Sequence, residues 1–249
     1  MTFRQACLRA YWAMRRVIAP TLRYSQYLYE EALSAEVRSG VTWLDLGCGH
    51  QILPEWREVQ ERDLVAQCKT VVGVDYDLLS LRNHRTIARR VRGSISRLPF
   101  QDSAFDLATA NMVVEHLDDP PAAFREIARV LKPGGVFICH TPNALGYGAL
   151  LARVIPQRLK ILLARLLEGR CDTDVFPAYY RANTRGVIAR VAADAGLYVT
   201  KARMAVSDAG LVMIPPLGLL ELLWIRALML PPLKPLRTHI LAVLTKRQT

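Results

Sequence analysis

Trp43-Leu44-Asp45-Leu46-Gly47-Cys48-Gly49-His50 is the stretch that decides the fold. The apolar run from Val41 to Leu46, interrupted only by Thr42 and Asp45, has the length and make-up of a short buried strand, and it ends in a turn with two glycines one residue apart. Glycine admits backbone conformations closed to other residues and lets a ligand come close to the main chain. A second apolar run, Val71-Val72-Gly73-Val74, ends in Asp75. In a parallel sheet, an acid at the end of the second strand can accept hydrogen bonds from a ribose diol. A glycine turn followed by such an acid describes a nucleoside-binding crevice.

Working outward, four further pieces fall into a known order. Val41 to His50 resembles motif I of the class I S-adenosylmethionine-dependent methyltransferases, of the type 11-like, small-molecule group, and Val72 to Asp75 resembles their strand-two acid motif. Gly93 to Phe100, Phe105 to Leu117 and Leu131 to Gly135 follow as in that family, so the resemblance covers roughly residues 41–141. Three departures stand out. Gln51 takes the place of the third motif-I glycine, Ser94 stands where an acid is common, and the first crossover carries an insertion around Pro54–Leu64.

The resemblance implies an α/β fold, a Rossmann-like seven-stranded methyltransferase sheet with helices on both faces and apolar helical insertions. It implies S-adenosylmethionine as cofactor. Asp45 orders the glycine turn and the methionine amino end, with Leu46, Gly47, Cys48 and Gly49 forming the turn. Asp75 accepts the ribose hydroxyls beside Tyr76, Ser94 and Ile95 lie toward the adenine, and Asn111 and Met112 line the methionine side. Methyl transfer from a sulfonium is an in-line displacement, so alignment of the acceptor supplies most of the rate. An acidic oxygen acceptor would need a base, for which His140 at the end of strand five and then His116 are the candidates. The bland reading of either histidine is structural. No clustered Cys/His ligands appear, so no metal is implied. No Asn-Pro-Pro-aromatic or Asp-Pro-Pro-aromatic motif appears either, which argues against methylation of exocyclic base nitrogens.

The strand–helix alternation agrees with a parallel sheet. Strands are expected near 41–46, 70–75, 92–95, 105–110, 135–141, 197–204 and 239–245. Core helices are expected near 54–67, 77–90 and 120–131. The expected organisation is N-terminal basic amphipathic helices over 1–40 and a methyltransferase domain over 41–249. The core of that domain is 41–141 and 183–246, with insertions at 142–182 and 207–237. Residues 3–18 fit one amphipathic helix, with Phe3, Cys7, Ala10, Tyr11, Met14, Val17 and Ile18 on one side and Arg4, Arg9, Arg15 and Arg16 elsewhere, stopped by Pro20. A second helix is expected over 25–38.

The chain has 249 residues and a net charge of +11. Residues 1–24 carry five arginines and no acid, whereas residues 25–150 hold 13 basic and 16 acidic side chains. The positive excess therefore lies in segments that are also apolar, among them Leu145 to Leu167 and Leu211 to Leu236. Nucleic acid is one anionic partner for such segments. A membrane surface is the other, and it also accounts for the apolar content. The central helix of the second segment, near 217–230, is short of the roughly 20 residues that span a bilayer, so a hairpin in the interface, a lid over the acceptor pocket or a dimer surface are its readings. Cys7, Cys48, Cys68, Cys139 and Cys171 show no paired spacing, which suits a reducing cytosol. The expectation is a cytoplasmic enzyme, peripheral at the inner face of the membrane, that methylates a small-molecule or lipid-linked acceptor, with nucleic acid a lesser partner and the oligomeric state open. The alternatives are an RNA or protein methyltransferase and, from another class, a non-catalytic membrane-associated scaffold.

Overall fold

The computed structural model describes residues 2–154, 177–207 and 209–248. Residues 155–176 of the expected insertion over 142–182, Cys171 among them, lie outside the described residues. The chain divides into two compact units. One consists of Leu28–Pro142, Ala178–Arg203 and Ile240–Thr249, and the other of Met1–Tyr27, Asn143–Pro177 and Met204–His239. The expected N-terminal segment is thus split, since residues 28–40 belong with the sheet.

The sheet has seven strands: β1 (Thr42–Leu46), β2 (Thr70–Asp75), β3 (Arg89–Arg92), β4 (Phe105–Asn111), β5 (Leu131–Pro142), β6 (Leu197–Ala205) and β7 (His239–Lys246). Their order is β3-β2-β1-β4-β5-β7-β6. β1 pairs in parallel with β2 on one side and β4 on the other, with Leu44 opposite Val72 and Ala108. β2 also runs parallel to β3, and β4 to β5. The strand order reverses between β1 and β4, which is where open α/β sheets leave a crevice at the carboxyl ends of the strands.

Alternation along β1 sends Trp43 to one face and Leu44 and Leu46 to the other. Trp43 joins a core with Tyr29 and Leu33 of α2 (Ser25–Glu36), Leu64 of α3 (Glu58–Gln67), Leu107 and Ile138. The opposite layer is built by α5 (Pro120–Val130) and α7 (Arg185–Asp194), with Phe124 edge-on to Phe137 at 5.7 Å. Each fully buried side chain of this size contributes roughly 1.5–3 kcal/mol. α5 starts where Asp119 accepts the Ala122 amide at 3.0 Å and Pro120 and Pro121 fill the first turn.

Three expected elements differ in extent, among them β5, which begins at Leu131 rather than near residue 135. A helix over 77–90 is replaced by the short α4 (Leu78–Arg82), and β3 begins at Arg89 rather than near residue 92. Asp77 caps α4 through the Leu79 and Ser80 amides. The chain then turns because His84 Nδ1 accepts the Ile87 amide at 3.1 Å and the Arg90 guanidinium takes the Leu81 carbonyl at 2.7 Å. Burial holds His84 down at about 4, so the ring stays neutral and can accept. These side chains compete with the helix ladder for its backbone groups.

The second unit contains α1 (Phe3–Ile18), α6 (Tyr147–Val154) and α8 (Pro215–Leu228). α1 begins with Thr2 and Gln5 each accepting the other's backbone amide, at 3.3 and 3.0 Å. Its core gathers Tyr11, Leu22 and Tyr24 with Leu222, Ile225 and Leu228. No helix among the described residues is long and apolar enough to cross a membrane.

Candidate cofactor site

At the end of β1 the backbone enters the left-handed region twice, at Gly47 (φ +62°) and Gly49 (φ +55°). A side chain at Gly47 is excluded on a second ground, since a Cβ there would lie 2.5 Å from Val113 Cγ2. The turn is tied to β2, with the Gly47 amide donating to the Val74 carbonyl at 2.7 Å and the Gly49 amide to Asp75 Oδ2 at 2.8 Å. The other Asp75 oxygen accepts the Asp77 amide at 2.8 Å. The acid at the end of β2 and the glycine turn at the end of β1 are therefore one hydrogen-bonded assembly. Cys48 is buried against Gly73, and its thiol is pushed well above its ordinary range by burial and the nearby Asp45 and Asp75 carboxylates. It packs; it is not poised to react.

Asp45 lies under this turn, buried on the same face of β1 as Trp43. Its Oδ1 accepts the Thr109 hydroxyl at 2.5 Å, and Thr109 in turn accepts the Trp43 indole N–H at 2.7 Å. Burial pushes the Asp45 carboxyl up to about 7, with the Glu61 and Asp75 carboxylates adding to the rise and the Thr109 hydroxyl opposing it. A buried carboxyl held near neutrality gains most from a ligand that brings a positive charge, because the charged form is then compensated.

Leu46 is buried beneath the turn, and Tyr76 is exposed with the Arg92 guanidinium 5.7 Å from its ring centre. Ser94 Oγ accepts the Ser96 amide at 3.3 Å, in the turn that also holds Ile95. At the ends of β4 and β5, Asn111 and His140 are register partners, and Asn111 Oδ1 lies 2.7 Å from His140 Nδ1. An amide oxygen only accepts, so the His140 ring donates from Nδ1. That ring is 2% exposed and stacked on Tyr29 at 5.8 Å. Met112 takes a positive φ of 58° and donates its amide to the His140 carbonyl at 2.7 Å. His116 sits in the short turn Val114–His116, partly exposed, with Nε2 4.0 Å from Glu115 Oε1. Asp45, the glycine turn, Asp75, Asn111, Met112 and His140 thus share the carboxyl edge of the sheet.

Sequence reasoning misses three groups. Thr109 reads as a strand residue, yet it joins Trp43 to Asp45. Glu115 is buried, burial raises its carboxyl, and it accepts the Thr141 hydroxyl at 2.9 Å while Asn183 donates to that hydroxyl at 2.6 Å. Glu61 in the inserted crossover accepts the Ile52 and Leu53 amides and the Arg85 guanidinium, the last at 2.6 Å. Burial alone would raise Glu61, but Arg85, Thr86 and the Leu53 amide together hold it below its ordinary range. Glu61 lies within α3, where it reads as an ordinary helix acid, and no local signal marks it.

Residues 44–139 match a family model described as a methyltransferase domain. A probable S-adenosylmethionine-dependent methyltransferase of Mycolicibacterium smegmatis is 35% identical over 108 residues, which is 42% of this chain and 39% of that protein. A demethylmenaquinone methyltransferase of Staphylococcus aureus is 31% identical over 109 residues, 41% of this chain and 44% of that one. The match thus spans less than half the length of these curated relatives. Among solved structures, an S-adenosylmethionine-dependent methyltransferase from Methanosarcina mazei superposes with a TM-score of 0.57 at 18% identity, over 88% of this chain and 98% of the other, a likeness of fold.

Proposed function

We propose, from the premise that this chain carries a class I S-adenosylmethionine-dependent methyltransferase domain, that it transfers the cofactor's methyl group to a small hydrophobic or lipid-linked acceptor at a membrane face. The observation that supports this reading most is the joined assembly of Gly47, Gly49 and Asp75: a turn whose two glycines take left-handed backbone angles, closed onto an acid of the kind a ribose diol requires. When bound, S-adenosylmethionine supplies an electrophilic methyl group. The residues of the chain then bind and orient. Asp75 accepts the ribose hydroxyls, Asp45 compensates the methionine ammonium, and Asn111, fixed by His140, borders the methionine side with Met112. Tyr76, Ser94 and Ile95 border the base. In this reading His140 positions Asn111, and His116, the more accessible histidine, is the candidate to hold or take an acceptor proton.

The acceptor's hydrophobic character draws support from the apolar, basic flanks and from the demethylmenaquinone methyltransferase likeness. Calorimetry of S-adenosylmethionine binding tests the reading. Wild-type protein is expected to bind, and Asp75→Ala to bind at least ~10-fold more weakly, about 1.4 kcal/mol. Folded wild-type protein that takes up no S-adenosylmethionine overturns it in favour of a scaffold.

A further inference from the structure

We propose that α8, together with the outer side of α1, forms a docking surface for an anionic lipid bilayer. The inference deepens, and rests on, the membrane part of the function proposed above, but it stands on a different unit of the molecule and different residues. α8 buries Gly218, Leu222, Ile225 and Leu228. At 100° per residue, its other side presents Leu217, Leu220, Leu223 and Trp224 as one stripe, each between 41% and 62% exposed. No charged residue interrupts that stripe; Arg226 lies at its flank. Beyond the helix Leu230, Pro231, Pro232 and Leu236 are also exposed, with the exposed Lys234 among them.

The exposed stripe belongs to a well-anchored helix. Glu221 accepts the Gly210 and Leu211 amides at 3.0 and 2.8 Å and the Tyr147 hydroxyl at 2.8 Å. A Cβ on Gly218 would stand 3.2 Å from the Leu211 carbonyl oxygen, so the helix backbone lies close against its own unit. What the stripe displays is therefore a formed face, with its inner side already satisfied.

Charge chooses the occupant. Among the described residues this unit holds nine basic side chains and one acidic one, against 20 and 17 in the sheet unit. Among its described residues the single acid is Glu221, whose carboxylate is engaged within the unit. α1 packs on α8 and displays Arg4 and Arg16 beside the exposed Phe3, Trp12 and Val17. A second copy of the chain would set two such cationic surfaces against each other. Anionic headgroups complement them, and acyl chains accept the leucines. α8 has 14 residues; at 1.5 Å per residue that is about 21 Å, short of the roughly 30 Å of a hydrocarbon core. It lies along the surface, with Trp224 at the depth that suits an amphipathic ring.

Flotation of the full chain with vesicles decides the matter. Wild-type protein is expected to float with phosphatidylcholine vesicles containing phosphatidylglycerol, and roughly tenfold less with phosphatidylcholine alone or at high salt, as shared electrostatic and apolar binding requires. The double variant Leu220→Glu, Leu223→Glu should lose at least about tenfold of that binding, since it sets charge at the acyl boundary. Both positions are exposed, so its melting temperature should match wild type. Arg4→Glu with Arg16→Glu should weaken binding to the anionic vesicles and leave the residual binding to neutral ones unchanged. Wild-type protein that stays with the pellet, or a leucine double variant that floats like wild type, overturns the proposal. So does a concentration-dependent doubling of mass in lipid-free sedimentation that the leucine variant abolishes, which would make the face a dimer contact. S-adenosylmethionine calorimetry on the same samples separates the two readings: lost cofactor binding with intact flotation overturns the methyl-transfer reading and leaves the docking surface standing.

Discussion

In the sheet unit the polar groups that are buried come in connected sets: Trp43–Thr109–Asp45, Asn111–His140, and Glu115–Thr141–Asn183. In the unit of α1 and α8 the unusual feature is the reverse, a row of large apolar side chains left in contact with solvent. Buried polar groups are retained where they are satisfied and specify geometry, whereas exposed apolar stripes persist where something else covers them. Under the two proposals above, the first unit is the part that binds a small ligand, and the second the part that meets a surface.

The contrast can be broken from the sheet side first. Trp43→Ala removes a fully buried indole and strips Thr109 of its donor, and should cost about 3–5 kcal/mol in chemical denaturation. The same truncation at exposed Trp224 should stay within about 0.5 kcal/mol. Next comes pH. Folded Asp45 holds its proton up to about 7 against 3.8 in the free side chain, so its contribution to stability is full in acid and lost as pH rises through 7. Cofactor-free protein should lose roughly 3 kcal/mol of stability from this group between pH 5 and 8, and Asp45→Asn should flatten that part of the melting profile. A methionine ammonium favours the ionised carboxylate, so S-adenosylmethionine affinity should strengthen over the same interval in wild type and not in Asp45→Asn. Gly47→Ala is expected to cost about 2 kcal/mol, from the left-handed backbone and the Val113 clash, and to weaken cofactor binding beyond that stability loss. An alanine variant that binds and melts like wild type would remove the turn from the cofactor site.

Much of the sheet unit was legible because its signals are local. The run ending in Gly47-Cys48-Gly49, the acid after Val74 and the proline-led start of α5 each announce themselves within a few residues, and strands β1, β2 and β4 lie where their apolar runs put them. The helix expected over 77–90 failed for an equally physical reason. His84 and Arg90 draw off backbone groups that a longer helix would need. Of the groups described around the candidate site, Asp45, Asp75 and the glycines are picked out in the sequence, while Thr109, Glu61 and the Glu115–Thr141–Asn183 set are not.

The amino-acid sequence by itself determined the strand–turn–acid frame, the family likeness and the segregation of positive charge into apolar segments, since pattern and composition need no knowledge of what packs against what. Tertiary structure decided the rest. Thr109 reaches Asp45 across 64 positions of sequence and Asn183 reaches Thr141 across 42, and no local preference encodes such meetings. The raised Asp45 carboxyl, the His140 ring stacked on Tyr29 and the side of α8 left bare all follow from burial, a property that only the folded chain possesses.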